Sequence, residues 1–426
     1  MVGVGWLVVM DDWLSRGGCL GGVLGFAVGG ALLLPIGYVY GQLVSAMPDA
    51  SGEVAYTARV FPRSVSYATG WMMLLAYFIV CPWEAVAIGR IFAYVFPTLD
   101  SFALYEIGGR PVYLPRLIIG LALTSLLTIL NYRGVRLSAT FQNWTAFGTL
   151  ALCVVFAAAG ASKGSARNLP PLFTHGKFVS ILLVWQIVPY FMTGYESVGK
   201  AAEEANPDFR HDGFFIAIAT AILVGIAFYC SVIAAVAYAA PWRELLGTNF
   251  LTATAFQRAT GSRWIVRVIL AAAVLSLVKC FNGNFVASSR LLFAMGRRGL
   301  VNSQLAEVHR MNQTPSIAVM CVGIATALCM FLGDAILVPI TEVGSVAAAL
   351  GWFAACAAYL RIAWSVPGKV VAVVGATVAG AMVLMKLLPG VPGNFHSYEW
   401  MALAVWVSLG AVLARGGKRS PVHTQT

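Results

Sequence analysis

The sequence predicts an all-α integral membrane protein of eleven full spans preceded by an N-terminal half-span. Three observations carry this. Of 426 residues, 59% are hydrophobic and 11% charged, with a mean hydropathy of +0.81, whereas a soluble domain carries about 25% charged residues. Apolar runs long enough for a bilayer, which takes about 20 helical residues to cross about 30 Å of hydrocarbon, recur along the chain. The stretches between them are short and leave no room for a soluble catalytic domain. A soluble globular enzyme, a disordered chain and a coiled coil are excluded.

The chain opens on an apolar segment, residues 1–10, followed at once by Asp11 and Asp12. Ten helical residues reach about 15 Å, half a bilayer. A charged amino group does not belong at mid-membrane, so the expectation is that the first residue is internal to a longer reading frame. Eleven apolar runs follow, at 19–44, 66–96, 115–132, 140–161, 178–199, 213–240, 264–294, 316–334, 338–362, 369–388 and 398–414. The largest connection, about 241–263, is expected to hold at most a short surface helix. Residues 415–426 form a basic, polar tail. If that tail is cytoplasmic, alternation places slightly more Lys and Arg on its side, as inner-membrane proteins require. The formal charge of +11, from 28 Lys+Arg against 17 Asp+Glu, therefore reads as orientation signals beside a lipid bilayer. No nucleic acid partner is expected.

A few polar and flexible positions interrupt the apolar runs. Gly3-Val4-Gly5 loosens the start of the half-span and exposes backbone groups that need partners in a membrane. The helix that follows points its positive end inward, which suits a carboxylate. In the sixth span, counting the half-span as the first, Pro189 removes a backbone donor and Gly194 lowers helix stability, so Tyr190, Phe191, Thr193 and Gly194 flank a predicted break. Glu196 follows, as a site candidate or as an i,i+4 partner of Lys200. Breaks opening the first and sixth spans give a five-plus-five spacing, which points to a transporter binding site. Lys279, with Asn282 close by, lies deep in the 264–294 run and must pair, face water or shed its proton. Glu84, beside Pro82 and Trp83, is a pathway candidate. There is no phosphate loop, H-E-x-x-H or G-x-S-x-G. The five His fall outside the apolar runs and no C-x-x-C occurs, so no metal, cofactor or catalytic residue is expected.

Four stretches resemble the amino acid–polyamine–organocation permease superfamily. They are Gly3-Val4-Gly5-Trp6; Met47-Pro48-Asp49-Ala50-Ser51-Gly52-Glu53-Val54-Ala55-Tyr56; the segment from Thr193-Gly194-Tyr195-Glu196 to Glu203-Glu204-Ala205-Asn206-Pro207; and Ser289 to Leu300 with His309 and Thr314-Pro315 beyond. Asn131-Tyr132-Arg133-Gly134-Val135 also fits. The resemblance implies two inverted five-helix repeats, 1–161 (with its first helix truncated) and 178–362, then two accessory helices at 369–414 and the tail at 415–426. It implies secondary transport of amino acids or related amines across the inner membrane by alternating access, through proton coupling or exchange. By match, Val4 and Gly5 amides, with Gly3 beside them, would receive a carboxylate. Tyr190, Phe191, Thr193 and Gly194 would surround an ammonium group, and Glu196 would lie near the inner gate. Glu84, Lys279 and Asn282 are gating or coupling candidates. The sequence departs from the family at Gly41-Gln42, where an acid is common, and near Gly148-Thr149, where some relatives carry a lysine. The alternative is a truncated, transport-inactive permease or a substrate sensor.

Overall fold

The computed structural model describes residues 3, 5–49, 51–134, 139–201, 212–248 and 250–415, the side chains of 139–143, 153, 200, 201, 212, 265 and 268 excepted. In chain order the helices are α1 (Gly5–Ala31), α2 (Leu34–Ala46), α3 (Glu53–Ala58), α4 (Arg63–Phe78), α5 (Val80–Val95) and, after a hairpin of β1 (Ala103–Ile107) and β2 (Arg110–Tyr113), α6 (Leu114–Tyr132) and α7 (Ala139–Lys163). The second half holds α8 (Lys177–Trp185), α9 (Val188–Met192), α10 (Val198–Ala201), α11 (Asp212–Ala239), α12 (Leu251–Thr260) and α13 (Arg263–Arg297). It ends with α14 (Ser316–Met330), α15 (Leu337–Ile362), α16 (Val366–Leu387) and α17 (Ser397–Ala414). The antiparallel β-hairpin departs from the all-α expectation.

Among the described residues, nine helical stretches are long and apolar enough to cross a membrane, or ten if the pair bent by 45° at α8–α9 is one span. The chain is a multi-pass helical membrane protein. The eleven apolar runs of the sequence include that bent pair and also α14, which is apolar but only 15 residues long.

α1 departs from helical backbone at Val9 (φ −123°, ψ 22°) and again at Gly18, whose φ of 69° and ψ of −176° are closed to other residues. A Cβ there would lie 2.8 Å from the Leu172 carbonyl oxygen. That same oxygen accepts from the Leu20 and Gly21 amides at 3.0 and 3.2 Å. The half-span does not stop at Asp11, as its apolar length suggests. It runs on through Asp12 to the Gly18 break, because Asp12 and Arg16 pair one turn apart at 2.8 Å. Beyond the break, Gly21, Gly25 and Gly29 form a stripe four residues apart. Cβ atoms there would meet Ser180, Val184 and Val188 of the α8–α9 segment at 2.6–2.9 Å, so those side chains seat directly on the bare glycine backbone, as in close membrane helix pairs.

The 241–263 connection also differs from expectation. α12 does not lie on the surface: Leu251, Thr252, Ala253, Ala255 and Phe256 are buried. Phe256 packs on Phe156 of α7, and the Thr252 hydroxyl donates to the Trp6 carbonyl at 3.4 Å. At the opposite edge, α17 is held to α4 by stacked Trp71 and Trp406, 4.4 Å apart, each indole donating to the other residue's carbonyl (2.9 and 3.2 Å).

Candidate functional site

The sixth span breaks where Pro189 and Gly194 predict it. α9 ends at Met192, Thr193 is extended (ψ 160°), and Gly194 takes a φ of 112° that disfavours any other residue. The buried Glu196 carboxylate turns back on this break. It accepts from the Gly194 amide through both oxygens at 2.9 Å, from the Thr193 hydroxyl at 2.6 Å and from the Tyr77 hydroxyl at 3.3 Å. The side chain of Lys200, the alternative partner, lies outside the described residues, as do Glu203, Glu204, Asn206 and Pro207. A helix end leaves carbonyls without intrahelical donors. That of Phe191 accepts from the Tyr229 hydroxyl of α11 at 3.0 Å.

The start of α1 faces this break. A Cβ on Gly5 would sit 2.9 Å from the Phe191 ring and 3.4 Å from Trp83, so the side chains of two other helices occupy the space that glycine leaves. A Cβ on Gly3 would touch Cys280 Sγ at 3.4 Å, and the Gly3 amide bonds to the Tyr229 oxygen. Tyr229 thus bridges the two interrupted elements. Val4 lies outside the described residues. The Tyr190 amide donates to Ser345 Oγ of α15 at 3.2 Å, and its ring packs against Phe191 (5.1 Å), Trp83 (6.2 Å) and the bare backbone of Gly344.

Glu84, next to Trp83 in α5, is buried in the same region. Its carboxylate interacts electrostatically with Lys279, Cys280 and the Tyr190 hydroxyl. Among the described residues, neither Glu84 Oε2 nor the Tyr190 hydroxyl oxygen, both buried, has a hydrogen-bond partner. Lys279 is half-buried and makes no ion pair within 4 Å among the described residues. Asn282 is not at the break. It accepts from Asn131 Nδ2 at 2.9 Å and ties α13 to α6. The structure therefore brings Gly3, Gly5, Tyr190 and Phe191 together, with Glu84 and Lys279 within electrostatic range of one another. Thr193, Gly194 and Glu196 stand one step along the break, and Asn282 stands apart.

Two polar clusters flank this centre. Towards the β-hairpin, Arg16 binds Asp12 and, at 2.6 Å, Glu342 of α15, and Glu342 also pairs with Lys386 of α16. Towards the loop 47–52, Tyr40 donates to buried Glu53 at 3.0 Å, beside the Tyr77–Glu196 contact. None of Glu342, Tyr229, Arg16 and Lys386 is a sequence candidate. The rule that flags Glu84, an acid inside an apolar run, also flags Glu342. Among the described residues no group of three or more His, Cys, Asp or Glu could hold a metal.

Residues 1–412 match the family model described as amino acid permease. The branched-chain amino acid permease BcaP of Bacillus subtilis (strain 168) is 25% identical across 75% of this chain and 68% of its own length. The methylthioribose transporter of the same organism is 23% identical across 97% of this chain and 89% of its own length. The gamma-aminobutyric acid permease of Escherichia coli (strain K12) is 24% identical across 70% of this chain and 63% of its own length. With its opening glycines set against a broken sixth span, and with a family match over nearly its whole length, the chain belongs to the amino acid permeases of the amino acid–polyamine–organocation superfamily, a family of transporters rather than enzymes.

Proposed function

We propose that this protein carries an amino acid or related amine across the cytoplasmic membrane by alternating access, with the substrate held at the bundle centre between the α1 start and the α9 break. Residues 1–161 and 178–362 act as inverted repeats, 369–414 are accessory, and the tail is cytoplasmic. One observation supports the site most directly. Among the described residues, Glu84 Oε2 and the Tyr190 hydroxyl are buried without partners, and the Tyr190 ring packs against Trp83 and Phe191. An unpaired buried polar group costs about 1–3 kcal/mol, and a substrate ammonium group supplies the missing donors as well as a cation for the rings. The α1 amides, Gly5 among them, take the substrate carboxylate. Thr193 and Gly194 frame the break. Glu196 couples it to the loop-47–52 end through Tyr77.

The experiment is uptake of a panel of amino acids and amines into proteoliposomes. Accumulation of at least one is expected, and Glu84→Gln is expected to weaken its apparent affinity about 10- to 100-fold, the worth of a hydrogen bond to a charged group. No accumulation of any panel member would sink the proposal. Lys279 is the proposed coupling cation, standing where Glu84 senses its charge. Lys279→Ala is expected to abolish the proton dependence of uptake, and unchanged proton dependence removes Lys279 from the mechanism.

A further inference from the structure

Four charged side chains meet in the protein interior between the candidate site and the β-hairpin end. Arg16, on the last turn before the Gly18 break, binds Asp12 of its own helix through Nε at 2.8 Å and Glu342 of α15 through Nη1 at 2.6 Å. The second oxygen of Glu342 pairs with Lys386 Nζ, which also donates to the Gly393 carbonyl at 3.0 Å. Side-chain exposure is 0% for Lys386, 8% for Glu342 and 16% for Arg16, so water does little to support these charges. Two acids and two bases make the group neutral.

Its position matters. Glu342 is three residues, about 4.5 Å of helix, before Ser345, which binds the Tyr190 amide. Asp12 and Arg16 lie two to three turns beyond Gly5. The Arg16–Glu342 bond therefore joins α1 to α15 directly above the site. In the alternating-access reading, opening this end separates α1 from α15 and so breaks that bond. α15 and α16 pack along their length, so Lys386 stays with Glu342 when Arg16 leaves, and Arg16 keeps Asp12. The four-charge group divides into two neutral pairs, and neither half strands a buried ion. Stranding one would be severe, because an ion left unpaired in the interior keeps its desolvation penalty with no attraction to offset it.

We propose that Lys386, on an accessory helix, is a positioning residue of the transport cycle: it is the resident counter-charge that lets Glu342 release Arg16 as the β-hairpin end opens. This rests on the alternating-access reading, but its test needs no substrate. Cys280, in contact range of Gly3, is kept as the single cysteine, the others being replaced. Its rate of modification by a membrane-impermeant thiol reagent is measured from the β-hairpin side in membrane vesicles. Lys386→Met leaves Glu342 dependent on Arg16, so the end stays shut and labelling slows at least about fivefold, the low end of typical coupling energies. Lys386→Arg restores the parent rate. The double variant E342Q/K386M removes the clamp with the charge balance kept, and labels faster than the parent. A purely structural lysine would move both variants in the same direction. Labelling of K386M at or above the parent rate overturns the proposal. If K386M does not reach the membrane, the double variant decides alone, and an unchanged or slower rate overturns the proposal.

Discussion

At the β-hairpin end, Glu342 is met by an arginine and a lysine. At the loop-47–52 end, Glu196 is met by two hydroxyls and a backbone amide, and Glu53 by the Tyr40 hydroxyl. Both closures are buried and both hold a carboxylate, yet they differ in what separation costs. Parting a buried ion pair so that a charge is stranded costs about 3–5 kcal/mol, whereas a hydrogen bond to a charged group is worth about 1.5–3 kcal/mol. Hydroxyls also exchange readily for water, which an arginine fork does less easily. In the proposed transport cycle, the loop end is thus the softer closure. The β-hairpin end is stiff unless its charges part as matched pairs, which is the role proposed for Lys386.

The comparison is broken most forcefully at Glu342. Glu342→Ala leaves Arg16 with Asp12 alone and Lys386 with only a carbonyl, and is expected to lower stability by about 3–5 kcal/mol. Thermal unfolding in detergent measures it, and a loss no greater than that of a loop-end variant would erase the distinction. Glu196→Gln follows. The amide keeps one acceptor oxygen where the carboxylate uses two, and turns an NH₂ group towards the Gly194 amide. The expected cost is about 1.5–3 kcal/mol, read as faster hydrogen exchange across 193–201 with α1 unaffected. Tyr77→Phe removes a single 3.3 Å donor from Glu196 and is expected to cost about 1 kcal/mol, with the same local exchange signature at smaller amplitude.

The smallest effect belongs to the half-exposed loop pair. Burial pulls the Asp49 carboxyl up, but hydrogen bonds from the Ser51 hydroxyl and amide and the Arg298 guanidinium (2.6 Å) outweigh it and hold the group below its ordinary 3.8. Because the folded value is the lower one, this stability is present above the unfolded carboxyl value and is lost as pH falls through the folded one. At this exposure screening reduces it to a few tenths of a kcal/mol. Asp49→Asn is expected to lower stability by that amount at neutral pH and to match the parent at acid pH, by unfolding titrations at both.

The spans were legible because hydropathy is a local property. So was the interrupted sixth span, since Pro189 and Gly194 declare their backbone demands in place. The reach of the first helix was not. Asp12 and Arg16 look aqueous until Glu342 and Lys386, more than 300 residues away in sequence, complete a neutral buried group with them. Tyr229 was missed for a different reason. A tyrosine in an apolar run reads as an interfacial anchor, and only the fold sets its hydroxyl between Gly3 and Phe191. The β-hairpin carried a local signal in Gly108-Gly109 between two short strand-like segments, overshadowed by the helical runs on either side.

The glycine stripe of α1 has a mechanical consequence. Where Ser180, Val184 and Val188 seat on bare backbone, there is no pliable layer between residues 19–31 and the segment leading into the break. One surface is toothed and the other notched, so they mesh like gear and rack. Rotation of one is transmitted to the other without slip. In the proposed transport cycle, motion arising in the first half of the chain is thereby expected to reach the hinge of the sixth span.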